Sequence, residues 1–430
     1  MDYKELKSSL IKHTGYMFSS NVVVAGLSFL INVILVRSLG AKDNGLIVLT
    51  ISTASMISLF FDLRFGEAVI KYVGDYLSAG DKNRALGVIV IGYLLDVALG
   101  IFCFLVLVAG AGLISNFLHE PQLKLLLLIY AFMILIGAIN NTSTNIFYSH
   151  REFSWISIQT ILMKIFDFLF IVTVVFLNKG TIGVITAYLI SSILMTIIIT
   201  VKAVFKIKVF YKGTTPVLRG INFRELFGFI FHTTFASTIK SVIRYMDILI
   251  LGHFKDPRAV TYYKNGIGLG SMLGLISDPI YKVVYPAIVN LKNAGDIVTI
   301  KKIARKIIVY GAAIGFPAGI FVSLIAPYVI HLLYKGISDP SVMVLRLVIW
   351  VQVINLMLCW QRPVCLAFGR SDIGSKVGMA GFFVFMVLLV WLVPRYSFTG
   401  AAIAYLVTNT LNILLVNFFT VKIIKANSRQ

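Results

Sequence analysis

Apolar stretches about twenty residues long recur from one end of this chain to the other, separated by short polar connections. Roughly 20 mainly apolar residues in a helix span the hydrocarbon core of a bilayer. In lipid every backbone N–H and C=O must be bonded internally, which leaves helices and closed barrels as the only spanning structures. The stretches are too long for strands and lack the alternation of a barrel. They fall near residues 15–36, 45–63, 85–110, 124–148, 154–177, 182–201, 226–251, 260–281, 307–326, 341–361, 375–394 and 399–421. The expected fold class is therefore all-α: a polytopic membrane protein of about twelve transmembrane helices.

Composition agrees. Of the 430 residues, 58% are apolar or aromatic and 13% are charged, where soluble domains carry about a quarter charged. A soluble globule of this size cannot hide so much apolar surface, which excludes a cytosolic enzyme, a disordered chain and a disulfide scaffold. The net charge of +21 would suggest nucleic acid in a soluble protein. Here the charges sit in the connections, so they are read as membrane sidedness and no nucleic-acid partner is expected. Twelve spans put both termini on one side. The segments on that side hold well over twice as many Lys and Arg as the opposite ones, and Lys164, Lys240 and Arg244 are left inside spans. The positive-inside rule then makes the termini cytoplasmic. The apolar run after the polar N-terminus is too long for a signal-peptide core and lacks a small-residue cleavage site, so it is expected to be retained.

The longest polar stretch, about 202–224, lies at the midpoint. It divides the chain into an N-terminal lobe at 1–205, a cytoplasmic linker at 206–224 and a C-terminal lobe at 225–430, each lobe expected to hold six helices. A weak echo fits the split: INVILVRSLGAKDNG (31–45) and MDILILGHFKDPRAV (246–260) both run from an apolar helix into a short charged loop. Repeats of this kind usually place a substrate site between them. Prolines are lopsided, with Pro279, Pro286, Pro317 and Pro363 in or near the later spans. They are read either as kinks accommodated by packing or as points of flexure in a transport cycle.

Catalytic signatures are missing. No GxxxxGK[ST] loop is present to cradle a nucleotide, and His119-Glu120 runs into Pro121, so HExxH fails. Gly266, Gly268, Gly270 and Gly274 lie in an apolar run and point to close helix packing rather than a phosphate loop. The sequons at Asn140 and Asn141 fall inside a span. Cys103, Cys359 and Cys365 have no metal or disulfide spacing. Neither a cofactor nor a metal site is expected.

Charges inside spans are the informative residues, because each costs about 2.5–3.5 kcal/mol at mid-bilayer unless it meets a partner, a cavity or water. In FASTIKSVIRYMDILILGH (235–253), Lys240, Arg244 and Asp247 share one helix face, and Asp247 can neutralise one cation well. Two readings stand: a structural or gating pair with Lys240 snorkelling, or a cationic stripe lining a cavity that draws an anion such as phosphate. Lys164 and Asp167, three apart, either pair with each other or present Lys164 to the same cavity. Asp96 and Asp278 are intramembrane acids, candidates for ion coupling or for partnering a neighbouring cation. Asp62, Arg64, Glu67 and Lys71 read as an interfacial network.

These features together resemble the polysaccharide and oligosaccharide flippases, the Wzx-type branch of the MOP superfamily that also holds the MATE exporters. FSSNVVVAGLSFLINVILVRSLGAKDNGLIVL (18–49) resembles that family's opening span, with its turn at Arg37, Leu39, Gly40 and Gly45. FFDLRFGEAVIKYVGDY (60–76) resembles the next block, and RYMDILILGHFKDPRAVTYYKNG (244–266) the start of the second half. The resemblance implies two six-helix lobes and alternating access driven by an ion gradient. The substrate it implies is an oligosaccharide on polyprenyl pyrophosphate, carried across the cytoplasmic (inner) membrane. Lys240, Arg244 and Lys164 would then meet the pyrophosphate or acidic sugars, and a polymerase and glycosyltransferases would act alongside. The alternative is a multidrug and toxin exporter of the same superfamily. Such exporters commonly use an acid in the first span, and none stands between residues 11 and 36 here. A membrane enzyme would display a large outer loop or an acidic metal motif, and the outer loops are short.

Overall fold

The computed structural model describes the backbone of residues 3–61, 65–150, 152–219, 224–225 and 245–427. Side chains are described for most of these, the exceptions being residues 3–14, 18, 60, 61, 65, 67, 275, 276, 278, 279, 282, 283 and 371. Among the described residues there are helices and no strand. The chain divides into two units, Met1–Tyr245 and Met246–Gln430.

The first unit holds α1 (Tyr3–Phe61), α2 (Phe65–Ser78), α3 (Lys82–Phe117), α4 (Gln122–Gly137), α5 (Asn140–Ser149), α6 (Phe153–Phe176) and α7 (Gly180–Phe210). The second holds α8 (Tyr245–Phe254), which begins at the last residue of the first unit. It continues with α9 (Pro257–Gly270), a 3-10 segment (Ser271–Ile276), α10 (Ser277–Asn293), α11 (Ile297–Tyr334), α12 (Ser341–Leu358), α13 (Gln361–Ala367) and α14 (Ser371–Asn427). Eight helical stretches among the described residues are long and apolar enough to cross a membrane.

Where the sequence led us to expect two spans joined by a loop, helix continues through a sharp break. In α1 that break is Gly40, at φ 85°, ψ 174°, a backbone region only glycine occupies readily. It lies inside the Arg37–Gly45 turn. In α14 it is Ser397. A β-carbon on nearby Gly400 would sit 2.4 Å from the Leu392 carbonyl, so the chain can double back there only at glycine. The apolar run at 260–281 departs from an ordinary span, since α9 gives way to a 3-10 turn before α10 begins. α11 stays continuous through Pro317 and Pro327. Helix starts follow local rules. Asp81, Asp256 and Asp296 accept from the backbone N–H of Arg84, Ala259 and Thr299, and Pro257 opens α9 where its missing N–H costs nothing.

The second unit is built around α12. Gly266 and Gly270 on α9 lie against Val344 and Val348, and Gly274 lies against Gln352; a β-carbon would come within 2.5–2.7 Å of each. From α11, Gly311, Gly315 and Gly319 meet Met357 and Val353. Stripes of small residues let helix backbones approach closely, and in lipid that closeness supplies the cohesion that water would supply elsewhere. Gly268, with open space beside it, is not part of the stripe.

Gly311→Ala should therefore lower the apparent melting temperature of the detergent-purified protein. Its β-carbon would press on Met357 Cα at 2.9 Å and the Leu356 carbonyl at 3.1 Å, neither of which can rotate away. Overpacking of this kind costs about 1–3 kcal/mol. Gly268→Ala meets no such obstacle and should melt at or above the wild-type temperature.

Candidate functional site

The described intramembrane acids share one arrangement: each carboxylate ties two helices together. Asp167 on α6 is 2% exposed. Its Oδ2 accepts from Lys164 Nζ at 2.8 Å and its Oδ1 from Ser191 Oγ of α7 at 2.6 Å. One turn of helix spaces Lys164 and Asp167 so that the ammonium folds back onto the carboxylate. The pair is neutral overall, which makes two charges in an apolar helix tolerable.

Asp96 on α3 is likewise buried, and it accepts from the Thr142 backbone N–H at 2.8 Å and Asn141 Nδ2 at 3.5 Å. Both donors lie in the first turn of α5, so the carboxylate sits at the positive end of that helix and bonds amides that have no partner within it. α5 is the polar half of the stretch expected as one span at 124–148. The chain breaks after Gly137 and restarts as NNTSTNIFYS. Three of its polar side chains meet neighbouring helices: Tyr93 Oη lies 2.9 Å from Ser143 Oγ, Asn140 donates to Thr196, and Gln159 donates to Thr144.

Asp247 on α8 is the third. Its Oδ2 accepts from the buried Tyr263 Oη of α9 at 2.8 Å, and its Oδ1 from the Ile248 backbone N–H at 2.8 Å. Lys240 and Arg244 lie outside the described residues, as does the side chain of Asp278 on α10. Of the expected site residues, the structure brings Lys164 and Asp167 together. It gives Asp96 and Asp247 partners that spacing alone did not suggest. The polar run at 140–145 and the Ser191-Ser192 pair were the available signals for Asp96 and Asp167. Tyr263 carried none, being one aromatic among many.

At one end of the first unit, basic side chains fold onto aromatic rings. Lys202 Nζ stands 3.1 Å from the centroid of the Trp155 ring, and Lys82 Nζ stands 4.7 Å from that of Phe210. Lys206 pairs with Glu152. Asn83 holds the chain after α7, accepting from the backbone N–H of Thr215 at its side chain and of Val217 at its carbonyl.

The family of polysaccharide biosynthesis proteins matches residues 34–336, well over half of the chain. The chain belongs to this family. A Shigella flexneri protein provisionally named O-antigen transporter is 21% identical over 96% of this chain and 97% of its own length. Two solved transporters share the fold. One is an inward-facing multidrug-resistance MATE transporter of the MOP superfamily, with TM-score 0.74 and 16% identity over 95% of each chain. The other is the lipid II flippase MurJ in an inward closed conformation, with TM-score 0.72 and 15% identity over 96% of this chain and 87% of that one. The architecture is thus that of the MOP transporters, as the residues at 18–49 and 244–266 led us to expect.

In a member of this family assembled by buried carboxylates, removing one partner of a pair should cost more than removing both. Asp167→Ala strands the Lys164 ammonium among apolar side chains and should destabilise the protein by about 3 kcal/mol or more, the usual effect of breaking a buried pair. Replacing Lys164 and Asp167 together by Leu should recover most of that loss, read by thermal melting in detergent.

Proposed function

We propose that this protein is a flippase moving a lipid-linked oligosaccharide, carried on polyprenyl pyrophosphate, across the cytoplasmic membrane for surface polysaccharide export. Family membership over residues 34–336 carries the assignment, and the relative named as an O-antigen transporter supports it. The protein is a transporter and not an enzyme. The mechanism we propose is alternating access of two six-helix lobes, twelve spans in all, powered by an ion gradient.

Lys240 and Arg244 are proposed to meet the pyrophosphate, with Lys164 as a further cationic position. Asp247, Asp167 and Asp96 are proposed as coupling or gating residues, because each bridges two helices through a carboxylate. Protonation weakens an acceptor, so a proton arriving at one of these sites would loosen the helices it joins. Asp278 joins them on sequence grounds. Sidedness has support in the first unit. Lys82, Lys202 and Lys206, all assigned to the cytoplasmic side, gather at one end of it with Glu152 and the segment after α7. A polymerase and glycosyltransferases are proposed as functional neighbours.

The MATE likeness favours a second reading, a drug exporter. Deleting the gene in its host separates the two. Loss of surface polymer with accumulation of a complete lipid-linked repeat unit is the expected result. Normal polymer with new sensitivity to cationic dyes would make this an exporter. In the complemented strain, Lys240→Ala and Arg244→Ala should each reduce polymer to near the deletion level at wild-type protein abundance. Normal polymer in both variants would remove these residues from the substrate path.

A further inference from the structure

The second unit contains an open cavity of about 390 Å³ lined by α10, the end of α12, α13 and both limbs of α14. That volume lies in the range of small-molecule sites, roughly 300–1,000 Å³. Its lining does not match the apolar composition of the chain. Ser277 and Gln361, 8% and 4% exposed, face it together with Asn412. The Ser277 Oγ, Gln361 Nε2 and Asn412 Oδ1 atoms are buried without a hydrogen-bond partner. The three residues bring polar groups to the wall of an otherwise apolar unit, and polar groups at such a wall are ones a ligand can satisfy.

Other walls narrow the ligand. The Arg362 guanidinium stands over the Tyr281 ring at 5.3 Å, and Tyr281 stacks on Tyr285 with the rings 2° from parallel. Tyr281 and Arg362 both line the cavity. Gly374 and Gly378, one turn apart on α14, form a wall with no side chain, and a β-carbon at either would meet nothing within 4 Å. Asn412 is seated against Gly381, where a β-carbon would lie 2.2 Å from its Oδ1.

An apolar drug would leave the three polar atoms unpaired, and a cationic one would face Arg362. Inorganic phosphate could accept from Gln361 Nε2 and Arg362 but has little to give Asn412 Oδ1, which needs a donor. Sugar hydroxyls both donate and accept, and the C–H face of a pyranose lies well on an aromatic ring. We infer that this cavity binds a saccharide bearing an acidic group, with the ring on Tyr281, hydroxyls on Ser277, Gln361 and Asn412, and the phosphate or carboxylate on Arg362. The inference rests on the flippase assignment for its source, the headgroup of the lipid-linked substrate. It goes beyond that assignment in making the second unit itself a headgroup site. Arg362 belongs to the connections assigned to the cytoplasm, so the cavity would receive the headgroup where loading begins.

The test uses the full chain in nanodiscs. Three probes are titrated by quenching of tryptophan fluorescence, with Trp360, next in sequence to the lining residues Cys359 and Gln361, as reporter: lipid-linked oligosaccharide extracted from the host, the glycan released from it by mild acid, and inorganic phosphate. Gln361→Met and Gly378→Leu are compared with wild type, and melting temperatures confirm that each is folded. Gln361→Met should weaken glycan binding about tenfold, the size of one lost hydrogen bond, and Gly378→Leu should abolish it by filling the cavity. Phosphate alone should not bind. Tighter binding of the lipid-linked form than of the released glycan assigns the site to the carrier-borne headgroup, and equal binding assigns it to soluble saccharide. Wild-type affinity in both folded variants overturns the cavity proposal and leaves the flippase assignment standing. A wild-type protein that binds no lipid-linked glycan and moves none in vesicles overturns the assignment itself.

Discussion

Lipid gives helices no hydrophobic reason to associate, so this fold depends on how closely its backbones can approach. In the second unit that closeness is written into glycines. One stripe, Gly266, Gly270 and Gly274, seats α9 and the following turn on Val344, Val348 and Gln352 of α12. Another, Gly311, Gly315 and Gly319, seats α11 on Val353 and Met357 of the same helix. Held from both sides, α12 becomes the fixed member of the unit. Its far end then delivers Asn355 and Cys359 to a cavity whose position would otherwise be poorly defined.

The same apolar surroundings explain why the three described intramembrane acids are so carefully matched. Asp167 is saturated by an ammonium and a hydroxyl, Asp96 by the start of α5, and Asp247 by a tyrosine and a backbone amide. Each network crosses from one helix to another, so each is both a rivet and a possible release point. Ser277, Gln361 and Asn412 differ from these acids: each lines the pocket of the second unit and carries a buried polar atom with no partner of its own. A transporter needs both kinds of site: charges neutralised by its own residues to hold a state, and groups left for a substrate to satisfy.

Much of this was legible in the sequence because the physics is local. Hydropathy finds apolar runs at the length lipid requires, and the residues around Gly40 and Asp247 carry the resemblance to the family whose fold the chain takes. The glycines at 266, 270 and 274 announced close packing before any partner was known. The junction of α4 and α5 was less visible, since 124–148 read as one span with the sequons at Asn140 and Asn141 inside it, and nothing in it marked a helix start facing Asp96. Tyr263 and the cavity around Gln361 were not legible at all. They depend on which residues of distant helices meet, and a single sequence does not encode helix rotation in its composition or periodicity.

The claim at the centre of this account is that the substrate is a lipid-linked glycan and that this chain moves it unaided by ATP. Reconstitution tests it most directly. The purified protein is placed in vesicles with fluorescently tagged lipid-linked oligosaccharide in both leaflets, and access to an external quencher or lectin is followed with and without an imposed ion gradient. Accelerated exchange between leaflets, biased by the gradient and unchanged by ATP, is the expected result. Exchange no faster than in empty vesicles, alongside uptake of a cationic dye, would contradict it.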